Sequence, residues 1–215
     1  MDLYIDTANL DEIKAANDLG VLNGVTTNPS LIAKEKVDYG KRLAEICGVV
    51  KGPVSAEVIA LDFAGMMKEG RERAKIAPNI VVKLPCTVEG LKACKALSDE
   101  GTKTNMTLCF QPLQALMVAK AGAFLVSPFV GRLDDISQDG MQLIQDIRTI
   151  YDNYGLKTKL LAASVRHPLH LLQCALAGSD VATVPFSVIQ SVMKHPLTDS
   201  GIEKFLADYK KAFGG

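Results

Sequence analysis

Short, almost unbroken apolar runs alternate along this chain with longer stretches whose apolar residues recur every three or four positions. Eight such runs predict strands: Leu3 to Asp6, Gly24 to Thr27, Val54 to Val58, Asn79 to Leu84, Thr104 to Cys109, Phe124 to Ser127, Lys159 to Ala163 and Val181 to Val184. A strand covered by helices on both faces has no solvent side, so it reads as continuous apolar sequence. Most of these runs lack the polar alternation that an antiparallel sandwich requires. Helix punctuation falls between them. Asn9 suits the cap of a helix presenting Leu10, Ile13, Ala16 and Leu19 on one face, with Gly20 as its stop. Thr87 suits the cap of a helix ending before Gly101, and Gly122, Gly155 and Gly178 close three more. Ser200 and Glu203 have capping-box spacing and predict a last helix running through about Tyr209.

Regular strand–helix alternation implies a parallel sheet with right-handed crossovers. Eight units favour an α/β fold of the closed (β/α)8 TIM-barrel type, and 215 residues fit one such domain. Residues 1–215 therefore read as a single barrel domain, in which 198–215 form an extra C-terminal helix and tail. An open doubly wound sheet is the alternative. It carries a glycine-rich turn after its first strand, whereas that turn here is Asp6-Thr7-Ala8-Asn9.

Charge changes the picture by exclusion. Lys plus Arg and Asp plus Glu are equal at 24 each, so the basic excess that draws a protein to nucleic acid or to a membrane surface is missing. The five cysteines (Cys47, Cys86, Cys94, Cys109, Cys174) show no C-x-x-C spacing and suggest neither a disulfide framework nor a zinc site. Met1-Asp2-Leu3-Tyr4-Ile5-Asp6 does not read as a signal peptide, and no apolar run approaches bilayer length. A cytoplasmic location is expected.

In a barrel, chemistry gathers at the carboxyl ends of the strands. Those ends supply Asp6, Thr26-Thr27-Asn28, Glu57, Lys83, Asn105 with Thr107, Ser127, and Ser164 with Arg166. Lys83 stands out, because Ile80-Val81-Val82-Lys83-Leu84-Pro85 is otherwise apolar. One reading has its stem on the barrel wall and its ammonium reaching solvent or pairing with Glu57. The other is catalytic: burial of a lysine disfavours the ammonium and enlarges the neutral, nucleophilic fraction. A neutral amine attacking a ketone forms an iminium, an electron sink for carbon–carbon cleavage. Asp6 and Glu57 are carboxylates on different strands, so their environments could divide the acid and base work. Asn105 and Thr107 share strand parity and point the same way. Asp6 alone reads equally well as a cap or ion-pair partner, and Thr7 and Thr87 read as caps.

Arg132, in Ser127-Pro128-Phe129-Val130-Gly131-Arg132, and Arg166 follow consecutive strands. Their guanidinium forks suit a phosphate, with Ser164 assisting, although surface arginines are common. His167 and His170 lack a third ligand and read as surface or helix-start residues rather than metal ligands. Phe110-Gln111-Pro112 reads as a helix start. No Walker or dinucleotide fingerprint is present.

At these residues the chain resembles the transaldolase family, in particular the small branch that includes fructose-6-phosphate aldolases. Gly24-Val25-Thr26-Thr27-Asn28-Pro29-Ser30-Leu31-Ile32 is similar to the family's amino-terminal signature. Ile80 to Pro85, followed by Thr87 and Glu89-Gly90-Leu91, is similar to the signature around its Schiff-base lysine, and Ala121-Gly122-Ala123 through Arg132 is a third match. The resemblance implies that Lys83 forms an imine with a ketose phosphate and that Asp6 takes the C4 hydroxyl proton. It implies that Glu57 and Thr107 manage water and proton transfers. Thr27 lies in the first signature; Asn28, Asn105 and Ser127 would hold the dihydroxyacetone hydroxyls, and Arg132, Ser164 and Arg166 the phosphate. It implies no metal or organic cofactor, sugar-phosphate substrates of the pentose phosphate pathway, and a homo-oligomer built as a pentamer-based ring or decamer. Glu57 with Phe129 resembles the transaldolases, since the aldolases carry glutamine and tyrosine there. Cys109-Phe110-Gln111-Pro112 departs from the commoner serine-containing form.

A fructose-6-phosphate aldolase, releasing free dihydroxyacetone, remains the alternative within the same chemistry. A sugar-phosphate isomerase using Glu57 as base, or a non-catalytic sugar-phosphate sensor, are the alternatives of other classes.

Overall fold

A computed structural model describes residues 1–214; Gly215, the end of the expected tail, lies outside the described residues. Among these, eight strands pair in chain order: β1 (Asp2–Asp6), β2 (Gly24–Thr26), β3 (Val54–Glu57), β4 (Ile80–Pro85), β5 (Thr104–Cys109), β6 (Leu125–Pro128), β7 (Lys159–Ala162) and β8 (Val181–Val184). Each runs parallel to the next, and β8 returns to β1, so the barrel closes as expected. Closure leaves no strand edge unpaired. The crossovers carry α1 (Leu10–Asp18), α2 (Pro29–Lys34), α3 (Tyr39–Val49), α4 (Phe63–Ala74), α5 (Val88–Asp99) and α6 (Pro112–Lys120). They continue with α7 (Val130–Asp134), α8 (Gly140–Asn153), α9 (Pro168–Leu176), α10 (Phe186–Val192) and the additional α11 (Pro196–Phe213). The short helices α2 and α7 directly follow strands, so they stand at the open face and bring Asn28 and Arg132 to it.

The caps act as their residue types dictate. The Asn9 side chain accepts from the Asp11 and Glu12 amides, and Thr87 accepts from the Gly90 amide. Gly122 and Gly178 end their helices at φ +87° and +77°, which an L side chain adopts only with strain. The last helix corrects the expected boundary. It begins at Pro196, where the fixed φ and the missing N–H suit a first helical position, and His195 accepts from the Leu197 amide at 3.2 Å. Ser200 is therefore inside the helix, with its hydroxyl turned back to the Leu197 carbonyl.

Alternation along the strands separates two apolar layers. Ile5, Val82, Leu84, Met106, Val126 and Ala162 face outward and pack with the helices in one large cluster. Tyr4, Val81, Leu125, Leu161 and Val181 fill the amino-terminal half of the interior as a second cluster. Gly24 makes room for the Tyr4 ring: a Cβ there would lie 2.7 Å from Tyr4 Cζ. This plug forces anything that binds inside the barrel toward its carboxyl end.

Candidate active site

Two residues further along β1, β4, β6 and β8, the same inward face turns polar with Asp6, Lys83, Ser127 and Thr183. Parallel pairing puts Glu57 beside Lys83 and Lys83 beside Asn105 on consecutive strands. Above them lies a cavity of about 110 Å³ whose lining includes Asp6, Thr26, Asn28, Lys83, Ser127, Phe129, Arg132 and Ser164. Larger hollows, of about 680 and 340 Å³, lie outside the barrel around α5 and α6. The small interior cavity brings an amine, a carboxylate, hydroxyls and a guanidinium to one point.

Lys83 is buried, only 5% exposed. Its Nζ lies 3.0 Å from Glu57 Oε2 and 3.0 Å from the Thr27 carbonyl oxygen, which accepts its hydrogen bond. Lys83 thus both pairs with Glu57 and lines the cavity. Asp6 has a different environment. Burial raises its pKa above the ordinary carboxylate value, and the charge of Lys83 and the Thr26 hydroxyl at 2.8 Å offset this only in part. The two carboxyl groups are therefore unequal, one ion-paired to the amine and the other held back from ionising.

The remaining expected residues divide by what they touch. Asn105 donates to Ser55 Oγ at 3.0 Å and accepts from Ser127 Oγ at 2.7 Å, a buried chain that fixes which way its amide faces. Thr107 is buried, and its hydroxyl has no partner among the described residues. Such a group is costly unless something else satisfies it. Beside it Leu108 adopts φ +58°, where β5 shifts register, and Ser164 adopts +57° at the end of β7. Non-glycine residues held left-handed cost about 1–3 kcal/mol each and cluster at functional sites.

Asn28 caps α2, accepting from the Leu31 amide at 2.9 Å, and also lines the cavity. Thr27 contributes its carbonyl; its hydroxyl bonds the Ser55 carbonyl at 2.7 Å. Phe129 lines the cavity, with the Arg132 guanidinium 4.8 Å above its ring and Phe110 edge-on at 5.7 Å. The Cys109-Phe110-Gln111-Pro112 segment therefore touches a cavity-lining residue through Phe110. Its helix starts at Pro112 without a side-chain cap from Gln111, and Gln114 instead accepts from the Phe110 amide at 2.8 Å. Arg166 is outside the cavity lining, with its guanidinium forked onto the carboxylate of Asp135.

The sequence placed Thr26 among the polar strand ends without a role of its own, and Ser55 and Thr183 were not singled out. The Thr26 hydroxyl joins Asp6 to the Thr183 hydroxyl, 2.6 Å away, and both threonines line the cavity. Counting in twos from Glu57 to Ser55, and from Val181 to Thr183, would have found both. His170 is buried rather than superficial, with Nε2 2.9 Å from Asp134 Oδ2, while His167 caps α9. Among the described residues no group of three or more His, Cys, Asp or Glu side chains is placed to hold a metal ion.

Comparison with known proteins finds relatives over nearly the whole chain. Residues 3–214 match the family described as Transaldolase/Fructose-6-phosphate aldolase. A protein of Geotalea uraniireducens (strain Rf4) named "Probable transaldolase" is 61% identical over 98% of this chain and 99% of its own length. "Probable transaldolase 1" of Bacillus cereus (strain ATCC 14579) is 61% identical over 98% of each chain. A "Probable transaldolase" of Anaeromyxobacter dehalogenans (strain 2CP-C) is 60% identical over 98% of this chain and 97% of its own.

Proposed function

The chain belongs to the transaldolase/fructose-6-phosphate aldolase family, and on that premise we propose that it is a transaldolase working through an imine on Lys83. The observation that carries this reading is the buried Lys83 amine at the cavity wall, ion-paired to Glu57 and sharing the cavity with the unlike carboxyl group of Asp6. Proton transfer within the Lys83–Glu57 pair yields the neutral amine without exposing it to water. The amine adds to the C2 carbonyl of a ketose phosphate, such as sedoheptulose 7-phosphate or fructose 6-phosphate, and loss of water gives the iminium. Ionised Asp6 takes the C4 hydroxyl proton, the C3–C4 bond breaks, and its electron pair passes into the iminium as an enamine. An aldose phosphate leaves. The enamine then adds to the carbonyl of an acceptor aldose phosphate, and hydrolysis frees Lys83.

The unpartnered Thr107 hydroxyl supports a place for the water that enters and leaves during imine chemistry, with Glu57 as its proton partner. Asn28, Asn105 and Ser127 hold the dihydroxyacetone hydroxyls, with the Thr27 carbonyl aiming the amine. Arg132, Ser164 and Arg166 take the phosphate. Glu57 with Phe129, in place of glutamine and tyrosine, favours transfer over release of free dihydroxyacetone. Borohydride reduction in the presence of fructose 6-phosphate should attach a dihydroxyacetone-derived mass to the peptide containing Lys83. A protein that binds this substrate and gains no adduct there would refute the imine. Rapid product formation only when an aldose-phosphate acceptor is added distinguishes transfer from simple aldol cleavage.

The reading extends to a cytoplasmic homo-oligomer built from rings. No helix among the described residues is long and apolar enough to cross a membrane. Helix α11 has no buried residue in the single chain and exposes Ile202, Phe205, Leu206, Tyr209 and Phe213 at helical spacing. A stripe of that size is a poor neighbour for water and supports burial against another subunit. Light scattering should give a mass several times that of one chain, and deletion of residues 196–215 should reduce it. A wild-type protein that runs as a monomer at micromolar concentration would end this part of the proposal.

A further inference from the structure

The end of helix α7 carries a carboxylate that the proposed reaction does not use. Asp135 faces the Arg166 guanidinium in a two-pronged ion pair, with Arg166 Nη2 donating to Asp135 Oδ2 at 2.6 Å. Both side chains are about half exposed, so this is a surface pair rather than a core element. The pairing is built into the backbone. Ser164, two residues before Arg166, is held left-handed, and the Gly131 amide donates to the Ser164 carbonyl at 3.0 Å. Gly131 is small enough to admit the loop: a Cβ there would lie 2.5 Å from that carbonyl and 2.6 Å from Arg166 Nε. Asp134, next to Asp135, holds His170, whose Nδ1 accepts from the Arg166 amide at 3.4 Å. The main chain of Arg166 is thereby anchored while its guanidinium is occupied.

A carboxylate and a phosphate present the same pair of acceptor oxygens to a guanidinium fork. We propose that Asp135 is a specificity-determining residue, a resident carboxylate that occupies the Arg166 fork and must yield it when a phosphate ester binds. The inference rests on the reading of Arg132 and Arg166 as the phosphate grip. The hydrogen bonds from Arg166, aided by the charges of Arg166 and Arg132, hold the Asp135 carboxyl below the usual carboxylate range, as expected of an anion seated in that grip. Competition of this kind weakens every phosphorylated ligand by the strength of the internal pair and adds repulsion between two anions. It leaves unphosphorylated ligands untouched, so Asp135 narrows the margin by which the enzyme prefers phosphate esters.

The test is Asp135→Asn, which keeps the shape and removes the charge. Competitive inhibition by inorganic phosphate should tighten about two- to fivefold, the range of an exposed ion pair. The KM for glyceraldehyde 3-phosphate as acceptor should fall by a similar factor, with kcat and the KM for unphosphorylated glyceraldehyde unchanged. Asp135→Glu should restore wild-type values. Weaker phosphate inhibition in Asp135→Asn would mean that Asp135 orients Arg166 for phosphate and would overturn the proposal; so would no change. Arg166→Gln in parallel separates the two levels. If it leaves phosphate inhibition of the wild type intact, the reading of the grip itself fails. If it abolishes inhibition while Asp135→Asn changes nothing, only the role of Asp135 falls.

Discussion

Replacement of Lys83 by methionine is expected to lower transfer activity by about 10⁴-fold or more, because the imine has no other amine to form on. Methionine keeps the length of the stem against the barrel wall, so packing changes little. Stability still falls. Glu57, 16% exposed at its side chain, loses its partner at 3.0 Å and is left as a lone charge in a poorly solvated place. Removing one member of a well-buried pair costs about 3–5 kcal/mol, and the partial exposure of Glu57 brings the expected loss to about 1–3 kcal/mol. Adding Glu57→Gln to the same variant removes the stranded charge, so most of the stability should return and none of the activity. Urea midpoints of the two variants, set beside product assays, separate the structural role of the pair from its chemical one. Lys83→Met retaining activity within tenfold of the wild type would refute the nucleophile.

The second large effect is opposite in sign for the two properties. Asp6→Asn should lower kcat by about 10²–10⁴-fold, the usual contribution of a positioned base. It should also raise the melting temperature at neutral pH. The folded protein lifts the Asp6 pKa above its unfolded value, so the folded state holds that proton more tightly than the unfolded chain does. Its contribution to stability is fully present below the unfolded pKa and is lost as pH rises through the higher folded one. At neutral pH the wild type therefore bears the cost of an ionised, desolvated Asp6, which asparagine does not. The advantage of Asp6→Asn should shrink as pH falls through the carboxylate range, and thermal melts across that range will show it. The acid limb of kcat/KM should lie above the ordinary aspartate value for the same reason. An unchanged or lower melting temperature at neutral pH would contradict this account of Asp6.

Much of the architecture was legible because it is a matter of period. Unbroken apolar runs, separated by amphipathic stretches and closed by Asn9, Thr87 and the positive-φ glycines, can satisfy their backbone groups and bury their faces only as parallel strands under helices. Lys83 and Glu57 were legible as charges inside such runs. Boundaries were less so. The capping-box spacing at Ser200 competed with Pro196, which is better suited to a first helical position, and the proline decided. Ser55 and Thr183 were overlooked because a hydroxyl in an apolar strand carries no signal until the inward face is known.

By itself, then, the order of residues determined the repeat of strand and helix, the polar character of the strand ends, and the lysine on which the proposed chemistry centres. These depend on neighbours along the chain and on the two periodicities of its backbone. Closure of the barrel decided the rest. It set Glu57 and the Thr27 carbonyl each 3.0 Å from the Lys83 amine. It buried Asp6 so that it ionises reluctantly, linked Asn105 to Ser55 and Ser127, and gave the Arg166 fork to Asp135 rather than to the cavity. Desolvation and hydrogen-bond geometry arise between residues distant in sequence, and no local pattern carries them.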